Sequence, residues 1–376
     1  GAERLHRITG KPIDITPCVY RLRYMREYEP DLLDEAAQIL SVHDFLLQKL
    51  SGEAAASWTS AGPFGIFDIR KKEWSREILD HLEIPVEKLP AVHRPGTMLG
   101  QVTREAAELT GLLAGTPIFA AGGDGHCAAL GVGAVRPGIA YLNLGTAVVG
   151  GPWSANADID RYWRTLLSPT GEGYLLESCQ RAGAFFVNWL LDLFAGGQDT
   201  QEVFRMLEAQ ASALPVGSGG VMASTYLVGC MDPHWDLDAR AGFMGLGPEA
   251  GFGHIYRASL EAITLEFVRS LDQMRKLGVP AERIFVIGGG ANSPLWRQMV
   301  ADASGLPVVR SLSNEASALG AGMSAAVGAG WYDGFQSAAS GMSRLAEEIA
   351  PNADRYGEWQ DLSGRQSRIY SALADL

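Results

Sequence analysis

Asp124 has the neighbourhood best arranged for chemistry. The apolar run Ile118, Phe119, Ala120 and Ala121 predicts a short buried strand, and Gly122-Gly123 ends it and lets a ligand approach the backbone. Asp124 then falls at the carboxyl end of a strand, the edge where an open α/β sheet holds ligands. A carboxylate there can take a proton from a substrate hydroxyl. The same letters also describe a plain turn or a helix cap. Other glycine-marked places weigh on that choice: Gly145-Thr146 after the apolar run 139–144, Ser218-Gly219-Gly220, and IFVIGGGAN over 284–292. Repeated glycine-marked strand ends point to a phosphate-bearing ligand lying along a sheet edge.

The elements that must position these residues follow from pattern and punctuation. A helix is expected over 126–135, a turn at Arg136-Pro137-Gly138, and a strand over 139–144. Upstream, helices are expected over 20–29, 31–50, 75–82 and 103–110, with Ser75 and Thr103 as N-caps and Ser51-Gly52 as a stop. A short strand is expected over 65–69. Downstream, 153–170 reads as loop, 173–178 and 221–228 as strands, and 202–213 and 254–277 as helices. The apolar residues of 182–194 crowd nearly all round, which predicts a helix buried between layers. The segment after IFVIGGGAN has clear helix grammar: Ser293 to cap, Pro294 at the first helical position, Gly305 to stop. The helix expected over 315–327 is built of Ala, Gly, Ser and Leu, which permits close approach by a neighbour. The stretch 337–376 reads as helical.

Composition narrows the function class. A chain of 376 residues favours two domains. A net charge of -12 with no offsetting Lys/Arg cluster argues against a nucleic-acid partner. Cys18, Cys127, Cys179 and Cys230 lack CxxC spacing, so neither a disulfide framework nor a zinc site is indicated. No apolar run is long enough to span a membrane and no signal-peptide pattern opens the chain, so a cytoplasmic enzyme is expected.

Several passages together resemble the FGGY carbohydrate kinases, and within them the xylulokinase-like branch. AGFMGLGPEAGFGHIYRASLE (241–261) fits the family's C-terminal signature. GGDGHCAALGVGAVRPGIAYLNLGTA (122–147) corresponds to its catalytic-Asp segment, and GGGANSPLWRQMVADASGLPV (288–308) with EASALGAGMSAAVGAG (315–330) to its adenine side. The resemblance implies an actin-like, ribonuclease-H-like pair of α/β domains, a sugar-binding one over 1–134 that is incomplete and a nucleotide-binding one over 135–376, with ATP in the cleft. It implies Asp124 as the base that receives the sugar hydroxyl proton, and as a group near Mg²⁺ through water. It implies Gly145 and Thr146 at the γ-phosphate, Gly219 and Gly220 beside ribose and phosphates, and Gly289, Gly290 and Asn292 at the adenine. The implied acceptor is a ketopentose such as D-xylulose, with ribulose, erythritol, glycerol and gluconate as alternatives. A non-catalytic actin-fold nucleotide-binding scaffold is the reading from another class. A homodimer and a hinge near 131–138 are also expected.

The chain departs from the family pattern in places. Arg21-Leu22-Arg23-Tyr24-Met25 meets the first signature only loosely, and neither the Asp-x-Gly-Thr phosphate loop nor the Trp-x-Asp-x-Arg segment is present, so weak turnover by the polypeptide alone is expected. Cys230-Met231-Asp232-Pro233 stands where the family often has Glu-Arg-Thr-Pro, which bears on acceptor identity. Trp235, Asp236 and Arg240 are expected to bridge loops. His126 is expected to be a bystander, and Trp58, Tyr162 and Trp163 to pack in the core or at its rim.

Overall fold

A seven-stranded mixed sheet organises the second half of the chain in this computed structural model, which describes residues 1–313 and 315–374. Its strands are β1 (Gly138–Leu144), β2 (Val148–Ser154), β3 (Arg164–Leu167), β4 (Tyr174–Gln180), β5 (Ala281–Ile287), β6 (Val308–Ser311) and β7 (Leu345–Ile349). They lie in the order β7-β6-β5-β1-β2-β4-β3. β1, β5 and β6 run parallel; the outer strands on both sides run antiparallel.

Three of these strands depart from the expected pattern. β2 passes Gly150 and Gly151 through the sheet because its neighbours leave no room for a Cβ: one built on Gly151 would sit 1.7 Å from the Leu176 carbonyl oxygen. β3 forms inside the stretch expected to be loop, since Arg164 stands opposite Glu177 of β4 and Thr165, Leu166 and Leu167 are buried. β7 forms within a stretch expected to be helical, pairing with β6 through Val308 and Ile349. The expected strand over 221–228 is shorter, Met222–Ser224.

Helices complete the layers: α1 (Asp124–Gly131), α2 (Ala184–Ala195), α3 (Thr200–Ser212), α4 (Phe252–Lys276), α5 (Pro294–Ser304), α6 (Ala316–Gly328) and α7 (Tyr356–Gln366). α4 carries the largest core, packing Tyr256, Leu260, Ile263 and Phe267 with Trp296, Trp359 and the inner face of β1 and β5. α2 departs from its expected burial: Phe186 and Leu190 are inside, but Phe185, Trp189 and Leu193 are exposed. A separate core over the first ninety residues joins Val19, Leu22, Phe64, Phe67, Trp74 and Leu79, and reaches Leu167 at the end of β3. The helix expected over 31–50 is two helices, Pro30–Glu35 and Val42–Ser51. Ser41 restarts it by a capping box: its Oγ accepts from the Asp44 N–H and its own N–H donates to Asp44 Oδ2, both at 3.1 Å. No helix among the described residues is long and apolar enough to cross a membrane.

α1 and α6 meet backbone to backbone. A Cβ on Gly320 would lie 1.8 Å from the Cys127 carbonyl oxygen, and one on Gly131 2.1 Å from that of Ala316. The small residues of 315–327 serve this approach, which fixes the start of α1, where Asp124 stands.

Candidate active site

Asp124 opens α1 at its first helical position, so the bland reading of a helix-start residue and the functional one meet in the same place. Its side chain is exposed, with Oδ1 accepting from the Gly125 N–H at 2.8 Å, and its carbonyl accepts from Ser317 Oγ of α6 at 3.0 Å. The helix dipole favours a carboxylate at this end. The strand before it is half-buried Pro117–Phe119, paired only with Met98–Gln101, so Asp124 leaves a small ribbon and not the edge of the main sheet.

Asp124 lines a cavity of about 240 Å³ with Lys11, Asp14, His126, Arg164, Glu177 and Trp235. Two carboxylates of the wall are engaged by hydrogen bonds. Glu177 Oε1 accepts from the Tyr141 hydroxyl at 2.5 Å and Oε2 from Arg164; Asp14 Oδ1 accepts from Arg181 at 2.5 Å and Oδ2 from the Thr16 hydroxyl at 2.6 Å. Burial works to raise the Glu177 pKa, but Arg164 and the Tyr141 hydrogen bond outweigh it and hold the carboxyl below its usual value. Burial, with Lys11 and Arg164 nearby, pushes His126 down to about 4, so its ring is neutral at pH 7. Burial and Arg164 push Lys11 down to about 7. Gly125 belongs to the same wall: a Cβ there would stand 3.2 Å from Glu177 Oε1. Asp124 is therefore the cavity's carboxylate that has no cation holding it.

A second cavity of about 520 Å³ is built by α2, α3 and the loop after β5. Gly289, Gly290 and Asn292 line it, as do Asn188, Phe204, Tyr256 and Ser293. The glycines are required here. Gly288 has φ 84, and a Cβ on it would lie 2.5 Å from Asn143 Oδ1 and 2.7 Å from the Leu144 carbonyl carbon; one on Gly290 would lie 2.6 Å from the Trp296 ring. Ser293 caps α5 through the Trp296 N–H at 2.9 Å and donates to Glu208, which also accepts from Tyr256 at 2.7 Å. Asn292 Oδ1 accepts from Arg310 at 3.0 Å.

Gly145 and Thr146 turn the chain from β1 into β2 and do not line either cavity. Their carbonyls accept from Ala184 and Gly183 at 2.8 and 2.9 Å, which sets the start of α2 against the sheet end beside Gly288. Gly219 and Gly220, with φ 62 and 99, are exposed in a turn whose Ser218 hydroxyl donates to the His254 carbonyl at 2.6 Å, near the start of α4, and do not line either cavity. Lys11, Asp14, Arg164 and Glu177 lacked any local signal, because what unites them is the β3–β4 register and the hydrogen bond from the Thr165 N–H of β3 to the carbonyl of Gly10, which caps the helix Ala2–Thr9.

The loop 229–246 brings Trp235 into the first cavity. Trp235 adopts φ 55 and donates from Nε1 to the Arg161 carbonyl at 2.7 Å; Asp236 accepts from the Tyr370 hydroxyl at 2.9 Å. These are the expected loop bridges, and the place of Trp235 in the cavity wall is additional. Asp232 anchors the loop, accepting from Ser178, Ser270 and the Cys179 N–H at 2.8, 2.8 and 2.5 Å. Burial pushes its carboxyl up to about 7 against those hydrogen bonds. Because that folded value stands above the unfolded one of about 3.9, the associated stability is whole below the unfolded value and is lost as pH rises through about 7. Melting temperatures from pH 5 to 8 should therefore move in favour of Asp232→Asn relative to the wild type as pH rises; a constant gap would contradict the assignment.

The comparisons with known proteins give the family and the fold. The N-terminal domain of the FGGY family of carbohydrate kinases is matched by residues 1–131 and its C-terminal domain by residues 144–329. The xylulose kinase of Bacillus subtilis (strain 168) is 26% identical over 358 residues, 95% of this chain and 71% of that one. An autoinducer-2 kinase of Klebsiella pneumoniae is 29% identical over 389 residues, 98% of this chain and 71% of that one. A crystal structure of xylulose kinase from Rhodospirillum rubrum superposes with a TM-score of 0.91 at 28% identity, covering 100% of this chain and 75% of that one.

Proposed function

Because the chain belongs to the FGGY family of carbohydrate kinases, phosphotransferases with the actin-like, ribonuclease-H-like two-domain fold, we propose that it transfers the γ-phosphoryl group of ATP to the terminal hydroxyl of a ketopentose such as xylulose. In this reading the first domain is 1–134 and the second 135–376. The observation that carries it is the pairing of one uncommitted carboxylate, Asp124, at the smaller cavity with a glycine loop that bares backbone at the larger.

Phosphoryl transfer asks for positioning and charge more than for covalent chemistry. Asp124 Oδ2, the oxygen not engaged by Gly125, accepts the acceptor hydroxyl proton as the O–P bond forms and the bond to ADP breaks. The Gly289–Asn292 turn and Tyr256 hold the nucleoside. Gly145 and Thr146 set the phosphate end, and Gly219 and Gly220 close the ribose side. Neutral His126 is not a second proton carrier. The described residues contain no cluster of three or more His, Cys, Asp or Glu able to hold a metal ion. A single exposed carboxylate with phosphate oxygens and retained waters suits Mg²⁺, which would neutralise charge on the transferring phosphoryl group.

Gly290→Val tests the nucleotide side. The added carbons must displace Trp296 or Leu144, and overpacking costs about 1–3 kcal/mol, so the KM for ATP should rise about tenfold or more while that for the acceptor moves less. Equal changes in both would remove the loop from the nucleotide site. The reading as a whole is tested by coupled ADP release across pentuloses, aldonates and polyols: a pentulose should stimulate release, and a panel without any stimulation would overturn it.

A further inference from the structure

Lys11 is a buried cation without a counterpart. It is 7% exposed and lines the smaller cavity, yet among the described residues its Nζ makes no hydrogen bond or ion pair. The carboxylates around it are spoken for, Glu177 by Arg164 and Tyr141, Asp14 by Arg181 and Thr16. Arg164 and Arg181 are thus matched by Glu177 and Asp14, which leaves Lys11 and Asp124 as the cavity's two charged side chains without an ionic partner among the described residues. A largely buried ammonium with three donors and no acceptor among the described residues calls for an oxygen that only accepts.

We propose that Lys11 is the specificity-determining contact of the acceptor pocket, donating to a carbonyl or carboxylate oxygen at the end of the acceptor remote from the hydroxyl that faces Asp124. The proposal rests on the kinase reading and deepens it. An acceptor of this class has a proton-donating hydroxyl at one end, for Asp124, and an acceptor-only oxygen at or next to the other, for Lys11. An alditol carries hydroxyls alone and would use the ammonium less well. Binding of such an oxygen would also favour the charged form of Lys11, whose pKa burial and Arg164 push down to about 7.

Three five-carbon acceptors that differ at their first two carbons separate the sources of that oxygen: xylulose with a ketone at the second carbon, xylonate with a terminal carboxylate, xylitol with hydroxyls alone. With the full-length enzyme, kcat/KM for xylulose or xylonate should exceed that for xylitol by about tenfold or more, the scale of discrimination expected of a site that hydrogen-bonds its substrate. Which of the two leads identifies the oxygen. Lys11→Met should collapse that ratio through KM for the acceptor, leaving KM for ATP in place, and Lys11→Arg should restore part of it. A wild type that prefers xylitol, or a Lys11→Met enzyme that loses all three acceptors in equal measure, overturns the proposal. Calorimetric binding of the same three compounds is read separately. If no acceptor stimulates ADP release, the kinase reading falls, and calorimetry still decides whether Lys11 selects the carbonyl or carboxylate compound.

Discussion

Asp124→Asn should abolish acceptor phosphorylation while the dissociation constant for ATP stays within about twofold of wild type. The substitution keeps the size of the side chain and the oxygen that accepts from the Gly125 N–H, and removes the oxygen able to take a proton. Because Asp124 is exposed at the first position of α1 and its backbone is held by Ser317 and by the Gly131 and Gly320 contacts, the fold does not depend on its charge. General-base catalysis contributes about 10²–10⁴-fold, so kcat should fall by at least that factor with the KM for ATP little changed. Isothermal titration with a non-hydrolysable ATP analogue, run beside the coupled assay, checks both halves. Turnover at the wild-type rate would remove Asp124 from the chemistry.

The second large effect falls on stability. Glu177→Ala leaves Arg164 without its carboxylate and the buried Tyr141 hydroxyl without its acceptor. Breaking a buried pair from one side costs about 3–5 kcal/mol. The lower end applies here, because the Arg164 side chain keeps 23% of its surface exposed. The same change removes a carboxylate from the cavity wall that Asp124 also lines, so acceptor affinity should weaken together with stability. Urea unfolding monitored by tryptophan fluorescence should show an earlier midpoint for Glu177→Ala than for Glu177→Gln, which can still accept from Tyr141. Superimposable curves for the wild type and Glu177→Ala would show that Arg164 is solvated on its own.

Local grammar made much of this molecule legible. Ser293-Pro294 and Gly305 bound α5 where expected, with Ser293 accepting from Trp296 and Gly305 at φ 66. Ser75 and Thr103 cap the helices they precede, through Ile78 and Ala106. These signals read well because cap and stop chemistry involves residues three or four apart. The misread elements depend on distant partners. β3 exists because Arg164 meets Glu177 thirteen residues on, and β7 because β6 offers it an edge. The break at 36–41 was a local signal overlooked, since Asp44 takes the part in the capping box that Glu or Gln usually plays. Of the residues assigned to the site, Asp124, Gly289, Gly290 and Asn292 line cavities, whereas Gly145, Thr146, Gly219 and Gly220 turn the chain beside them. The glycine pattern located strand ends and turns, but not which of them face a cavity. Lys11 follows directly on Gly10, the cap of the helix Ala2–Thr9, and only the burial around it distinguishes it from a solvated lysine.

Phosphorus NMR of the full-length enzyme with ATP and a pentulose follows the transferred group itself. The account predicts that the γ-phosphate signal decays as a phosphomonoester signal coupled to a terminal CH₂ grows in equal amount, and that neither changes with Asp124→Asn. Decay into inorganic phosphate alone, or ester formation that persists in Asp124→Asn, would contradict it.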